Sequence, residues 1–225
     1  MANRRGGPRP REGADPLAGL AIRIEALTGR PASAEQRQHF QRYLDLLLLW
    51  NQTHRLTGGR SSEAIARDLF EDSVLFLALL PSGPLAMVDI GAGVGIPGVP
   101  LRILRPDISV TLIESRRKPV SFLATLKREL MLSDIVILEG RAEDLVGQTQ
   151  ELEARFQVVV SRGVGPHLLP TALRYLEPGG LFIASGPPPG KRPPPAEPTS
   201  QSRWEEVSFP DLDLVRTFLL ARKPT

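Results

Sequence analysis

Fourteen residues, Met87 to Pro100, read MVDIGAGVGIPGVP. The apolar front predicts a strand that ends near Asp89. It runs straight into Gly91, Gly93, Gly95 and Gly98, with Pro97 placed to open a helix. Glycine lets the turn take positive φ and lets a ligand approach bare backbone. The helix that follows turns its free N–H groups toward the same crevice. A strand, a glycine turn and a helix in this order fit an α/β chain built on a parallel sheet.

The rest of the second half has the same rhythm. Strands are predicted at LAMVDI, ISVTLIE, DIVILEG, FQVVVSR and GLFIAS. Helices fall between them, from Pro97, across about residues 116–131, and across LLPTALRYL, with a short helix or loop at RAEDLVGQTQELEA. RWEEVSF and LDLVRTFLLARK close the series as two strands joined by PDLD. Strands alternating with helices predict a sheet covered on both faces.

Upstream the pattern is helical. Leu17, Leu20, Ile24 and Leu27 recur at helical spacing until Gly29. Ser33 is set to cap a second helix from Ala34 to about Trp50, with Tyr43 and Trp50 expected in the core rather than as stacking platforms. Ser61 or Ser62 caps a third that Pro81 stops. The expected organisation is a disordered basic arm at 1–14, a helical region at 15–83, and a Rossmann-like domain at 84–225 carrying a Pro-rich linker at 186–198.

Composition removes several kinds of chemistry. The chain has no cysteine, which excludes disulfides, thiolate catalysis and Cys-ligated metals. Its three histidines, His39, His54 and His167, lack metal-ligand spacing, so no metal site is expected. Apolar runs fall short of the roughly 18 residues that suggest a membrane span, and the basic start lacks the apolar core of a secretory signal. A cytoplasmic protein without a membrane partner, monomeric by default, is the expectation. The charge excess is small, 28 Lys and Arg against 25 Asp and Glu. Its clustering says more: four arginines lie in NRRGGPRPREG, and Arg116, Arg117, Lys118, Lys127 and Arg128 sit on or just before one helix. These five are the candidate RNA contacts, with a solvated helix face as the plainer alternative.

Gly93-x-Gly95-x-x-Gly98 satisfies the dinucleotide fingerprint, but the same turn in a doubly wound sheet also serves S-adenosylmethionine. A tight turn with no ligand is the third reading. Glu114 ends the second strand, 23 positions after Gly91, where a carboxylate accepts ribose hydroxyls of either ligand. Two features favour the methyl donor. GRAEDL after the third strand offers Ala142 and Glu143 to an adenine edge, as methyltransferases of this sheet type do. The chain after residue 160 is also too short for a second catalytic domain and has no evident hydride-transfer acid.

Together these segments resemble the bacterial 16S rRNA guanine-N7 methyltransferases, also called glucose-inhibited division protein B. LLLLWNQTHRLTG is similar to that family's Trp-Asn-x-x-x-x-Leu-Thr signature, and FEDSVLF to its Asp-Ser element. The stretch from VDIGAGVGIPGVP to LKREL resembles its cofactor segment, and GRAEDL and VVVSRGVG its later two sites. The chain departs from the pattern at Arg55, Leu69, Pro119, Gly163 and Ser185. The resemblance implies a class I S-adenosylmethionine-dependent methyltransferase fold, α/β with helices on both faces, preceded by the helical extension. It implies S-adenosylmethionine as cofactor, with Gly91 and Ile96 at its methionine end and Ala142 and Glu143 at its adenine. Arg162 would face both the cofactor and the transfer site. Asp89, Gly93, Gly95 and Glu114 are expected around the cofactor from their place at the sheet edge. The implied substrate is a guanine in the helix-18 loop of 16S rRNA, as free RNA or in the assembling small subunit.

Guanine N7 carries an in-plane lone pair, so no proton must leave before it attacks a sulfonium methyl. Alignment and exclusion of water then matter more than a general base. Arg162 is the candidate catalytic residue, because its planar fork suits O6-type acceptors. The alternative for it is an ion pair with Asp89, Glu114 or Glu143. Two other functions remain open: S-adenosylmethionine-dependent methylation of another RNA, a protein or a small molecule, and a non-catalytic ribosome-binding module.

Overall fold

The computed structural model describes residues 15–58, 61–163, 166–187 and 202–225. The arm expected at 1–14 lies outside them, as does the linker from residue 188 on.

The helical front forms as its caps dictate. Helix α1 (Ala18–Thr28) ends on Gly29 at φ 71°, the left-handed turn glycine makes without penalty. Helix α2 (Ala34–His54) opens with a capping box in which Ser33 and Gln36 exchange side-chain and backbone hydrogen bonds. It runs four residues beyond Trp50, to a left-handed Arg55 at φ 49°. Asn51 then clamps the exit, its side chain accepting from the Thr57 N–H at 3.0 Å and donating to the Thr57 hydroxyl at 2.8 Å. The Trp-Asn…Leu-Thr signature is thus a helix-end clamp.

The third predicted helix is a broken rod. Ser61 caps α3 (Ser62–Ile65), a π-helical turn occupies Ala66–Glu71, α4 covers Asp72–Val74, and a 3-10 turn follows at Leu75–Leu79. The π turn widens the helix over Arg67 to Glu71, a form common at functional sites.

The second half follows the predicted alternation. Strands β1 (Leu85–Ile90), β2 (Ile108–Glu114), β3 (Ile135–Glu139), β4 (Phe156–Ser161), β5 (Leu176–Ser185), β6 (Ser202–Phe209) and β7 (Leu214–Arg222) form one sheet. Between them lie α5 (Gly98–Leu104), α6 (Arg117–Glu129), α7 (Ala142–Gln148) and α8 (Leu169–Tyr175). The order is β3-β2-β1-β4-β5-β7-β6, with β1 to β5 parallel and β7 antiparallel to both β5 and β6. Chain order reverses between β1 and β4. In open sheets of this kind ligands bind outside the carboxyl ends of the strands at such a switch point.

Side chains alternate across the sheet and build two cores. Met87, Val110, Leu112 and Val158 join α2, α5 and α6 residues such as Tyr43, Leu101 and Phe122 on one face. Val88, Ile90, Ile113 and Val159 pack against Ala172 and Tyr175 on the other. The first cluster also contains Leu20, Phe40 and Phe70, so the helical front shares its core with the sheet. Gln36 adds a polar tie, reaching the Ile103 carbonyl at the end of α5 at 3.3 Å. Among the described residues no helix is long and apolar enough to cross a membrane.

Candidate active site

The glycine turn hangs from two strands. The Gly91 and Ala92 N–H groups both donate to the Ile113 carbonyl, at 2.9 and 3.0 Å, which pins the turn to the end of β2. Gly91, Gly93 and Gly95 all take positive φ, at 75°, 57° and 97°. The glycines serve different ends. A Cβ on Gly93 would meet nothing nearer than Arg116 Nη2 at 3.8 Å, so this side of the turn is open. A Cβ on Gly95 would strike Val99 at 2.6 Å and the Tyr43 hydroxyl at 2.9 Å; one on Gly98 would strike Leu112 at 2.8 Å and Asp89 at 2.9 Å. Gly95 and Gly98 are therefore required by packing within the protein. Gly93, by contrast, shows open backbone, and Gly91 before it is exposed. Ile96 is 5% exposed and joins Pro97 through a cis peptide.

Asp89 lies beneath the turn. It is fully buried, and its Oδ2 accepts from the Gly98 N–H at 2.8 Å, doing for α5 what a capping side chain would do from the preceding loop. Its Oδ1 has no hydrogen-bond partner among the described residues. Burial pushes the Asp89 carboxyl up to about 7; the Gly98 N–H opposes the shift and the Glu114 charge adds to it.

Tyr43 reaches the same turn from α2. Its hydroxyl donates to the Val94 carbonyl, and its ring packs against Phe70 with centroids 4.8 Å apart. Burial, and then the Asp89 charge, hold this phenol well above its usual range. The sequence marked Tyr43 as core, which it is; the polar tip that fixes the turn had no local signal. Tyr43→Phe removes the only side-chain donor described at Val94. A loss of about 1–3 kcal/mol in urea unfolding is expected, as for a buried acceptor left short of a partner.

Glu114 closes the other wall. Its Oε2 accepts from the Gly93 N–H at 2.8 Å, and Oε1 from the Arg116 N–H at 2.8 Å and Nε at 3.1 Å. A carboxylate offers about four acceptor positions, so room for a hydroxyl remains on Oε2. More opens if the Arg116 side chain, 66% exposed, swings away. Ala142 opens α7, where the Tyr175 hydroxyl donates to its carbonyl at 2.7 Å. Glu143 beside it is exposed. Burial, then the Glu143 charge, push Tyr175 up to about 12.

Arg162 follows β4, whose last residue Ser161 donates to the Ile90 carbonyl at 2.9 Å and so locks the two strand ends together. Its ion-pair partner is none of the three acids considered from sequence. Arg162 Nε meets Asp72 Oδ2 at 2.8 Å, and one Nη donates to the Asp68 carbonyl at 2.5 Å. Asp72 belongs to the Asp-Ser element, so that element and the Ser-Arg pair are two halves of one contact. Arg216 of β7 approaches the other Asp72 oxygen at 3.4 Å. The sequence reading missed Arg216, one of two arginines in β7, with nothing local to mark it.

The five cations separate. Arg116, Arg117 and Lys118 are exposed at the start of α6, beside the carboxyl end of β2. Lys127 and Arg128 lie at its far end, roughly 14 Å along the axis at 1.5 Å per residue. Because α6 returns antiparallel to β2, that end faces the opposite edge of the sheet.

Comparison with known proteins bears on the family and the fold. Residues 36–185 match the family model GidB, described as rRNA small subunit methyltransferase G. A ribosomal RNA small subunit methyltransferase G of Caldanaerobacter subterraneus subsp. tengcongensis is 38% identical over 153 residues, 65% of this chain and 62% of the relative. One from Streptococcus pneumoniae serotype 19F is 35% identical over 158 residues, 68% of this chain and 66% of the relative. The chain thus matches a little under two thirds of these relatives' lengths. Among solved structures, the [4+2]-cyclase SpnF superposes with a TM-score of 0.53 at 19% identity, over 86% of this chain and 97% of that one, a likeness of fold. With two thirds of its length matched by the family model, this chain belongs to the rRNA small subunit methyltransferase G (GidB) family.

Proposed function

We propose that this protein transfers a methyl group from S-adenosylmethionine to N7 of a guanine in the helix-18 loop of 16S rRNA, acting in the cytoplasm on free rRNA or the assembling small subunit. The observation that carries the reading is the pairing of an open Gly93 with a largely buried Glu114 carboxylate across the same turn. A nucleoside fits this cradle: its ribose hydroxyls donate to Glu114 where no Cβ obstructs them, and its adenine lies toward Ala142 and Glu143. Gly91 and Ile96 border the methionine end.

The cofactor, when bound, supplies an electrophilic methyl on a sulfonium. This chain supplies placement. Asp89 and Tyr43 hold the turn from below, through Gly98 and Val94. Ser161 fixes the end of β4 against β1, so Arg162 stands at the switch point with its Nε held by Asp72. From there its guanidinium faces the acceptor base, whose O6 it is suited to bind. N7 has no proton to lose, so no residue need act as base, and the site's work is alignment. Arg116, Arg117 and Lys118 lie at the N-terminal end of a helix, where cations oppose the macrodipole. An anionic partner such as RNA relieves that arrangement.

The test incubates the protein with labelled S-adenosylmethionine and either unmodified small subunits or extracted 16S rRNA, then maps the label by mass spectrometry. N7-methylguanine in the helix-18 loop is the expected product. Cofactor binding with label on some other acceptor replaces the substrate, and absence of cofactor binding removes the enzyme reading.

A further inference from the structure

A cavity of about 520 Å³ lies beyond Arg162, bordered by Arg23, Arg67, Asp72, Arg162, Ser185 and Arg216. Its charges are unevenly matched. Arg23 pairs with Glu71 at 2.8 Å, and Arg67 with Asp68 at 2.8 Å. Arg162 and Arg216 have one carboxylate between them, Asp72, leaving a positive charge over where they meet.

The two arginines are not equally committed. Arg162 is held at 2.8 Å by Asp72 and at 2.5 Å by the Asp68 carbonyl. Among the described residues Arg216 makes only long contacts, 3.4 Å to Asp72 and 3.3 Å to the Val215 carbonyl, past the usual limit for N–H···O bonds. About a quarter of its side chain is exposed, and it borders the cavity. A part-buried guanidinium with spare donors, beside a guanidinium that shares its one carboxylate, is an anion seat. Its position points to the anion. Arg216 lies on β7, three strands from β1, roughly 14 Å across the sheet at about 4.8 Å per strand. Through Asp72, however, its guanidinium stands beside that of Arg162, so an anion it holds lies next to the acceptor base rather than over the β1 turn, where a backbone phosphate of the same strand fits.

We propose that Arg216, backed by Asp72 and Arg162, seats a backbone phosphate of the RNA strand that carries the target guanine. The seat rests on the rRNA reading above for the identity of its anion, but not for its existence.

Inorganic pyrophosphate, titrated calorimetrically into the intact protein, should bind, and should bind about tenfold more weakly to Arg216→Ala. Arg216→Lys, with a point charge and no planar fork, should fall between them. In parallel, binding of a 16S rRNA fragment is followed against salt. Arg216→Ala should lower the log–log slope by about one, the mark of one lost phosphate contact, with S-adenosylmethionine affinity unchanged. Arg216→Gln replaces the alanine variant if circular dichroism shows the latter unfolded. Equal pyrophosphate affinity in wild type and variants overturns the seat. So does a loss of cofactor affinity with RNA binding intact, because the anion would then be the cofactor's carboxylate. Pyrophosphate binding lost on Arg216→Ala in a protein that methylates no rRNA upholds the seat and removes the rRNA reading instead.

Discussion

Gly95→Ala is expected to destabilise the fold by roughly 2–5 kcal/mol, while Gly93→Ala two residues away costs about 1 kcal/mol. Both positions have positive φ, so both substitutions strain the backbone. They differ in what the new methyl meets. At Gly95 it enters the contact between Val99 and the Tyr43 hydroxyl, at 2.6 and 2.9 Å, with Leu123 at 3.1 Å. These atoms belong to α5, α2 and α6. Relief requires separating helices that share one core, and overpacking of this kind costs 1–3 kcal/mol beyond the backbone strain. At φ 57° Gly93 sits in the left-handed region that an L-residue reaches at modest cost, with open space before it. In a domain of this size each kcal/mol shifts Tm by about 2–4 °C, so thermal melts separate the two variants. Calorimetry should order them oppositely in function: folded Gly93→Ala loses S-adenosylmethionine affinity because its methyl stands on the ligand side. Equal melting of the two variants would show that Gly95 is not a packing glycine.

The contrast shows what was legible in the sequence. The strands and helices from Leu85 to Arg222 were readable because hydrophobic period and punctuation agreed; Asp89 and Gly91 bound the first strand, and ISVTLIE is β2 to the residue. The Ser33 cap was readable for the same local reason. The third helix was read as regular, because periodicity does not register the extra residue of a π turn. Distant partners were not readable. Nothing near Arg162 in sequence announces Asp72, 90 residues earlier, and nothing near Tyr43 announces Val94. The four glycines look alike as letters. What separates Gly93 from Gly95 is which helices pass behind the turn, and that is a property of the assembled fold.

Asp89→Asn is expected to make the protein more stable above pH 7 and to leave it nearly unchanged at pH 4. The Asp89 carboxyl, raised to about 7 by burial, titrates near 3.8 when the chain unfolds. Between those values the folded state keeps a proton that the unfolded state has lost. Stability therefore falls as pH rises through this window and levels off above about 7. The full window corresponds to about 4 kcal/mol at 1.4 kcal/mol per pH unit, an upper figure because water reaching the opened site would reduce it. Acids with lowered values, such as Asp107 and Glu129, act in the opposite direction below pH 4 and cancel in the comparison with the variant. Asparagine resembles the protonated acid in shape and charge, and its carbonyl oxygen can still accept from the Gly98 N–H. The turn should then persist, with S-adenosylmethionine affinity retained. Urea unfolding at pH 4.5 and pH 8 reads the difference directly. Parallel pH profiles for wild type and variant would mean that Asp89 ionises freely in the fold. Retained stability with lost cofactor affinity would instead move Asp89 from supporting the turn to touching the ligand.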